Sequence, residues 1–154
     1  MLKFVAVRHG DANEIGLFHE KKNLSALGIK QVEATANLLK GNDLFPNVIY
    51  TSPKLRAVET ANILKEILVG NIFEENALCE PFDSKKLLNI LADTANDKSI
   101  VFFVGHAPTL AEFVNDLVGK NVLEHGLPKG SAALVTFEST VEYGKGTFQK
   151  FFQK

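Results

Sequence analysis

A chain of 154 residues with 45% hydrophobic content and a formal charge of −1 has the size of one domain, predicted here over 1–154. Folding at this length buries about 68–70% of the surface the unfolded chain exposes, so a core needs neither disulfide nor metal. The near-neutral balance excludes a global pull toward nucleic acid or an anionic membrane, and the single cysteine, Cys79, excludes an intramolecular disulfide and a multi-cysteine metal site and fits a reducing compartment.

The first predicted strand is Leu2 to Val7. It is too short for the apolar core of a secretory leader and runs directly into Arg8-His9, and no stretch approaches the roughly 18 apolar residues of a membrane span. A cytoplasmic protein is expected. Ile29, Val32, Ala36 and Leu39 recur at helical spacing, with Ser25 placed to cap and Gly41 placed to end the helix in a left-handed conformation. Val48-Ile49-Tyr50 is the second strand. Ser52 followed by Pro53 reads as the N-cap and first position of a helix whose inward stripe is Leu55, Val58, Ala61, Leu64 or Lys65, and Leu68, closed by Gly70. A strand is expected around Asn71 to Phe73, then a helix capped by Ser84 that carries Leu87, Leu88 and Leu91. Ile100 to Val104 is a strongly apolar strand, followed by a helix from Pro108 to Leu117. Ala132 to Phe137 and Thr147 to Phe152, separated by Tyr143-Gly144-Lys145-Gly146, predict a hairpin. Apolar strands alternating with helical stretches predict an α/β domain with a mostly parallel sheet.

Polar residues fall at informative places. Arg8-His9-Gly10, Thr51-Ser52-Pro53 with Arg56, and Gly105-His106 each follow directly on an apolar strand. In open α/β sheets ligands bind outside the carboxyl ends of strands, so these groups can converge. Their chemistry suits phosphate. A transferring phosphoryl group spreads negative charge over three equatorial oxygens, and its transfer is catalysed mainly by positioning and by cationic and N–H donors. Arg8 and Arg56 offer permanently charged planar forks that match phosphate. Arg56 also falls early in its helix, near the positive N-terminal end. His9, with an ordinary pKa of about 6.5, is largely unprotonated at neutral pH and can act as a nucleophile if its other ring nitrogen is held. Gly10 permits a tight turn behind it. His106 can donate to a phosphoryl oxygen or, as imidazolium, add charge. This chemistry requires no metal and no cofactor.

At these residues the chain resembles the histidine phosphatase superfamily, the group that includes phosphoglycerate mutases, and especially its short phosphohistidine phosphatase branch of the SixA type. The matching stretches are Val7-Arg8-His9-Gly10-Asp11, Leu24-Ser25-Ala26-Leu27-Gly28-Ile29-Lys30-Gln31, Thr51-Ser52-Pro53-Lys54-Leu55-Arg56-Ala57-Val58-Glu59-Thr60-Ala61 and Val104-Gly105-His106-Ala107-Pro108-Thr109. The resemblance implies a three-layer phosphoglycerate mutase-like fold, with helices on both faces of a mostly parallel central sheet and a C-terminal hairpin. It makes His9 the nucleophile, with Arg8, Arg56 and His106 completing the phosphate pocket. Many family members carry a glutamate general acid, and Leu78-Cys79-Glu80 places Glu80 there; Asp11, beside the nucleophile, is a second possibility.

The implied activity is a phosphatase acting through a phosphohistidine on His9, with phosphohistidine on a protein as substrate, whether a carrier or a signalling domain. A small phosphate ester is the alternative substrate, and a silent phosphoprotein-binding module is the alternative of another class. Phosphohistidine releases an imidazole whose conjugate acid has a pKa near 6.5, against about 15.7 for water, so it demands less of an acid than an ester does. No long insertion is seen that would serve as a lid, which favours hydrolysis over mutase chemistry. No role is predicted for His19 or His125. Cys79 reads as a small buried or edge residue, and Lys21-Lys22 as a solvated turn or a guide for an acidic partner. The oligomeric state is not legible.

Overall fold

The computed structural model describes residues 1–14, 22–94 and 99–154; His19 and Lys21 lie outside these. Among the described residues all strands belong to one sheet. In chain order the elements are β1 (Leu2–Arg8), α1 (Ala26–Gly41), β2 (Val48–Thr51), α2 (Leu55–Leu68), β3 (Asn71–Glu74), a 3₁₀ turn (Asn76–Leu78), α3 (Ser84–Thr94), β4 (Ile100–Gly105), α4 (Thr109–Val118), β5 (Ala132–Phe137) and β6 (Thr147–Phe152). The strand order is β3-β2-β4-β1-β5-β6. The first four in that order are parallel, β5 runs antiparallel to β1, and β6 returns antiparallel to β5, which is the predicted hairpin.

Period-two alternation assigns the two faces. Phe4, Ala6, Val101 and Phe103 face a core built with α3 and α4, through Leu87, Leu91, Leu110, Phe113 and Leu117. Val5, Val7, Phe102 and Val104 face a second core built with α1 and α2, through Val32, Leu39, Ala57, Leu64 and Leu68. A strand buried on both faces reads as a continuous apolar run, which is why β1 and β4 were visible in the sequence. The Phe-rich end forms the edge strand β6, with Phe152 buried in the second core.

Several local expectations are corrected. Ile29 is exposed; α1 instead buries Gly28, Val32, Thr35, Ala36 and Leu39. The cause is a close approach at Gly28, where a Cβ would lie 2.0 Å from the Asp11 carbonyl oxygen. That contact turns the helix so that Ile29, about 100° further round, faces outward. Ser25 caps as expected, accepting from the Gly28 N–H at 3.0 Å. The helix runs through Gly41, and Asp43 rather than the glycine takes the left-handed conformation, with φ 57, which a short polar side chain tolerates. In α3 the N-terminal bond goes to the Asp83 carboxylate, which accepts from Lys86 N–H at 3.1 Å, while Ser84 is already helical.

The largest correction concerns Ser52-Pro53. α2 begins only at Leu55, which is exposed, and Lys54 holds the cap position with no side-chain cap bond. The inward residues are Ala57, Thr60, Ala61, Leu64 and Leu68. Ser52 lies three residues before the helix, where its hydroxyl accepts from Lys54 N–H at 3.2 Å and meets the side chains described next.

Candidate active site

The parallel strands β2, β4 and β1 are neighbours whose carboxyl ends lie level, with Arg8 opposite Gly105 and Thr51 opposite Val104. The residues that follow must therefore share one end of the sheet. Backbone bonds continue the ladder into them: His9 N–H donates to the Gly105 carbonyl at 3.1 Å, and Ser52 N–H to the Val104 carbonyl at 3.0 Å. Arg8, His9, Arg56, Glu80 and His106 all line one half-open cavity of about 810 Å³ at this end. Its charged lining is mainly cationic: Arg8, Lys22, Lys54, Arg56 and Lys129, against Glu14 and Glu80.

His9 is buried and held by its own turn. Nδ1 lies 2.7 Å from the Gly10 carbonyl oxygen. A carbonyl only accepts, so Nδ1 carries the proton and a neutral ring keeps its lone pair on Nε2. The turn is itself fixed. Gly10 N–H donates to Thr60 Oγ1 at 3.2 Å, and that hydroxyl donates to the Arg56 carbonyl at 2.8 Å, so the His9-Gly10 turn and α2 are tied together. A Cβ on Gly10 would sit 2.6 Å from the Gly28 carbonyl oxygen, so the position requires glycine.

Burial, reinforced by the charges of Arg56, Arg8 and Lys129, holds His9 down to about 4 despite the opposing bond to Gly10. Burial, the neighbouring His9, Arg56, Lys54 and Arg8 hold His106 down to about 3. The two rings lie 5.2 Å apart between centroids. Burial and these neighbouring charges favour the neutral form of the His106 ring. Stability follows. Both folded values lie below the unfolded value of about 6.5, so the unfolded chain binds more protons as pH falls beneath it. The contribution of this pair is full above about pH 6.5 and is lost as pH drops through about 4 and then 3. Urea midpoints measured between pH 7 and 4 should fall, and a His9→Asn/His106→Asn variant should flatten that slope.

Arg8 Nη1 donates to the Leu127 carbonyl at 3.1 Å, whereas its buried Nε has no hydrogen-bond partner among the described residues. Arg56 reaches both rings electrostatically. Asp11 is anchored away from acid chemistry. Its carboxylate accepts from Ser25 Oγ at 2.7 Å and pairs with Lys129 Nζ at 3.0 Å, which holds it below the usual carboxylate range. Glu80 is exposed on the cavity rim.

Two residues were missed in the sequence. Ser52 Oγ lies 2.8 Å from His106 Nε2 and 3.1 Å from Cys79 Sγ, and Cys79 is a half-buried cavity residue rather than a core or edge one. The signal for Ser52 was its place at a strand end beside Arg56, which the helix-cap reading absorbed. Lys22 pairs with Glu14 at 3.1 Å on the cavity wall, and His125 is exposed outside the lining. Among the described residues no cluster of His, Cys, Asp or Glu could hold a metal, and no helix is long and apolar enough to cross a membrane.

Comparison with known proteins bears on the fold and the family. Over 70 residues the chain is 43% identical to phosphoglycerate mutase 1 of Saccharomyces cerevisiae, a match spanning 43% of this chain and 28% of that protein. The fold resembles that of the protein histidine phosphatase SixA solved with tungstate, with TM-score 0.86, 23% identity and coverage of 98% of this chain and 96% of that one. It also resembles a phosphoserine phosphatase from Entamoeba histolytica solved with 3-phosphoglyceric acid, with TM-score 0.72, 20% identity and coverage of 100% and 98%. These likenesses establish the three-layer, phosphoglycerate mutase-like fold. The family model of the histidine phosphatase superfamily (branch 1) matches residues 4–82, half of the chain and the part holding His9, Arg56 and Glu80, and the chain belongs to that superfamily.

Proposed function

We propose that this protein is a phosphatase that passes the phosphoryl group through His9, with phosphohistidine on a protein as its substrate. The observation that carries the phosphatase reading is the His9 tautomer. With Nδ1–H bound to Gly10, Nε2 is a neutral nucleophile inside a cationic cavity. Nε2 attacks phosphorus, the bond from phosphorus to the leaving group breaks, and water then attacks the phosphohistidine to release phosphate and restore His9. Arg8, Arg56 and His106 hold the equatorial oxygens. The buried Arg8 Nε–H, which lacks an acceptor among the described residues, would gain one in a phosphoryl oxygen.

The protein substrate is supported by the SixA fold, by the half-open cavity and by the weakness of the acid site. Glu80 is exposed and Asp11 is committed to Ser25 and Lys129. An imidazole leaving group tolerates that; an alkoxide does not. A second reading, a small-molecule phosphomonoesterase, is favoured by one fact: Glu80 lines the same cavity as His9.

Rates on a phosphohistidine carrier protein and on a simple alkyl phosphate separate the two. We expect the carrier protein to be the better substrate. Glu80→Gln should leave its turnover within a few fold, whereas a loss of alkyl phosphate turnover approaching about 10²–10⁴-fold, the usual worth of a general acid, would favour the second reading. Fast alkyl phosphate turnover with no activity on the carrier would select the second reading. Phosphate binding with no turnover of either would make the protein a binding module.

A further inference from the structure

The Ser52 hydroxyl is fully buried and sits among three groups. Its Oγ accepts from Lys54 N–H at 3.2 Å and lies 2.8 Å from His106 Nε2 and 3.1 Å from Cys79 Sγ. A hydroxyl has one proton and two lone pairs, and Lys54 occupies one lone pair. Two arrangements satisfy the remainder. In the first, Cys79 S–H donates to Ser52, and Ser52 donates to His106 Nε2, leaving the neutral ring with its proton on Nδ1. In the second, His106 Nε2–H donates to Ser52, and Ser52 donates to the cysteine sulfur.

Chemistry separates them. The second arrangement spends the only hydroxyl proton on sulfur, a weak acceptor, and leaves a lone pair on Nδ1. A phosphoryl oxygen also carries only lone pairs, so His106 would then repel the group it lines the cavity to hold. The first gives the stronger acceptor, an imidazole nitrogen, its bond and leaves Nδ1–H for the phosphoryl oxygen. The Cys79 and Ser52 protons then each have an acceptor, and burial keeps competing water from Ser52.

We propose that Ser52 is a positioning residue: it donates its proton to His106 Nε2 and thereby fixes the tautomer that offers Nδ1–H to the phosphoryl group, with Cys79 S–H completing the chain. This rests on the reading of His106 as a phosphoryl-oxygen donor, and it assigns that donor to one nitrogen. Ser52 touches no reacting atom.

The test is the tautomer of His106 in the intact wild-type protein, read by long-range ¹H–¹⁵N NMR at neutral pH with and without inorganic phosphate. The expected result is a proton on Nδ1 and a bare Nε2 in both conditions. A proton found on Nε2 overturns the proposal, whatever the enzyme's activity. Ser52→Ala should mix the tautomers, weaken inorganic phosphate binding, and lower kcat/KM on the order of 10–100-fold, as loss of an orienting partner does elsewhere. Ser52→Thr should restore most of both, and Cys79→Ala should cost less than Ser52→Ala because the Ser52 proton remains. Unchanged tautomer and phosphate affinity in Ser52→Ala would also overturn it. A wild type that binds phosphate through Nδ1–H yet turns nothing over would sink the phosphatase reading and leave this assignment standing.

Discussion

His9→Ala should reduce turnover to background and abolish any phosphate carried by the chain. The expectation comes from the position of one nitrogen. In the proposed mechanism Nε2 of His9 is the nucleophile, since Gly10 holds Nδ1 and burial favours the unprotonated ring. Removing the imidazole removes the atom that bonds phosphorus, and no neighbour can replace it, since the Nε2 of His106 is engaged by Ser52. Loss of a covalent nucleophile in other enzymes costs on the order of 10⁶-fold in kcat. The measurement is a rapid acid or alkali quench after mixing with substrate. Wild-type protein should carry phosphate that is labile in acid and stable in alkali, and His9→Ala should carry none. Because the site keeps Arg8, Arg56 and His106, the variant should still bind inorganic phosphate. Normal turnover in this variant would overturn the mechanism.

Arg56→Ala should lower kcat by about 10²–10³-fold, the loss typical of removing one preorganised donor from a developing anion. Arg56 is the second residue of α2, and its own carbonyl accepts the Thr60 hydroxyl that holds Gly10. That backbone bond survives substitution, so the nucleophile loop should keep its place. What is lost is charge and fork. Arg56→Lys should recover part of the activity, since an ammonium supplies charge without the planar pair of donors. A second readout follows from electrostatics. Arg56 lowers the pKa of His9 and of His106, so its removal must raise both toward their ordinary value. Wild-type kcat/KM should fall on the acid side only near pH 4, where His9 takes up its proton. In Arg56→Ala that limb should move to higher pH. A pH profile that does not move would mean that Arg56 acts through structure alone.

Much of the fold was legible because it follows from local pattern. Phe4 to Val7 in β1 and Ile100 to Val104 in β4 are unbroken apolar runs, and the C-terminal pair has strand-like composition around a glycine-bearing turn. What failed was orientation. Ile29 and Leu55 satisfy helical period yet are exposed, because rotation of a helix about its axis is set by its neighbour. In α1 that neighbour is the Asp11 backbone pressed on Gly28, a contact between residues distant in sequence. Ser52 failed for a related reason. Serine before proline is a good cap by local rules, but a histidine 54 residues away competes for the same hydroxyl.

The sequence by itself determined which chemical groups stand at the three strand ends: a histidine between an arginine and a glycine, an arginine early in a helix, and a second histidine after a glycine. It also determined that both faces of the sheet would be covered, since alternating side chains of buried strands are apolar on both sides. Only the tertiary structure decided what those groups are as chemistry. It assigned the His9 proton to Nδ1, engaged Asp11 with Ser25 and Lys129, and brought Ser52 and Cys79 against His106. The physical reason is that tautomer and pKa depend on burial and on partners within a few ångströms, and those partners come from strands and helices far apart in the chain.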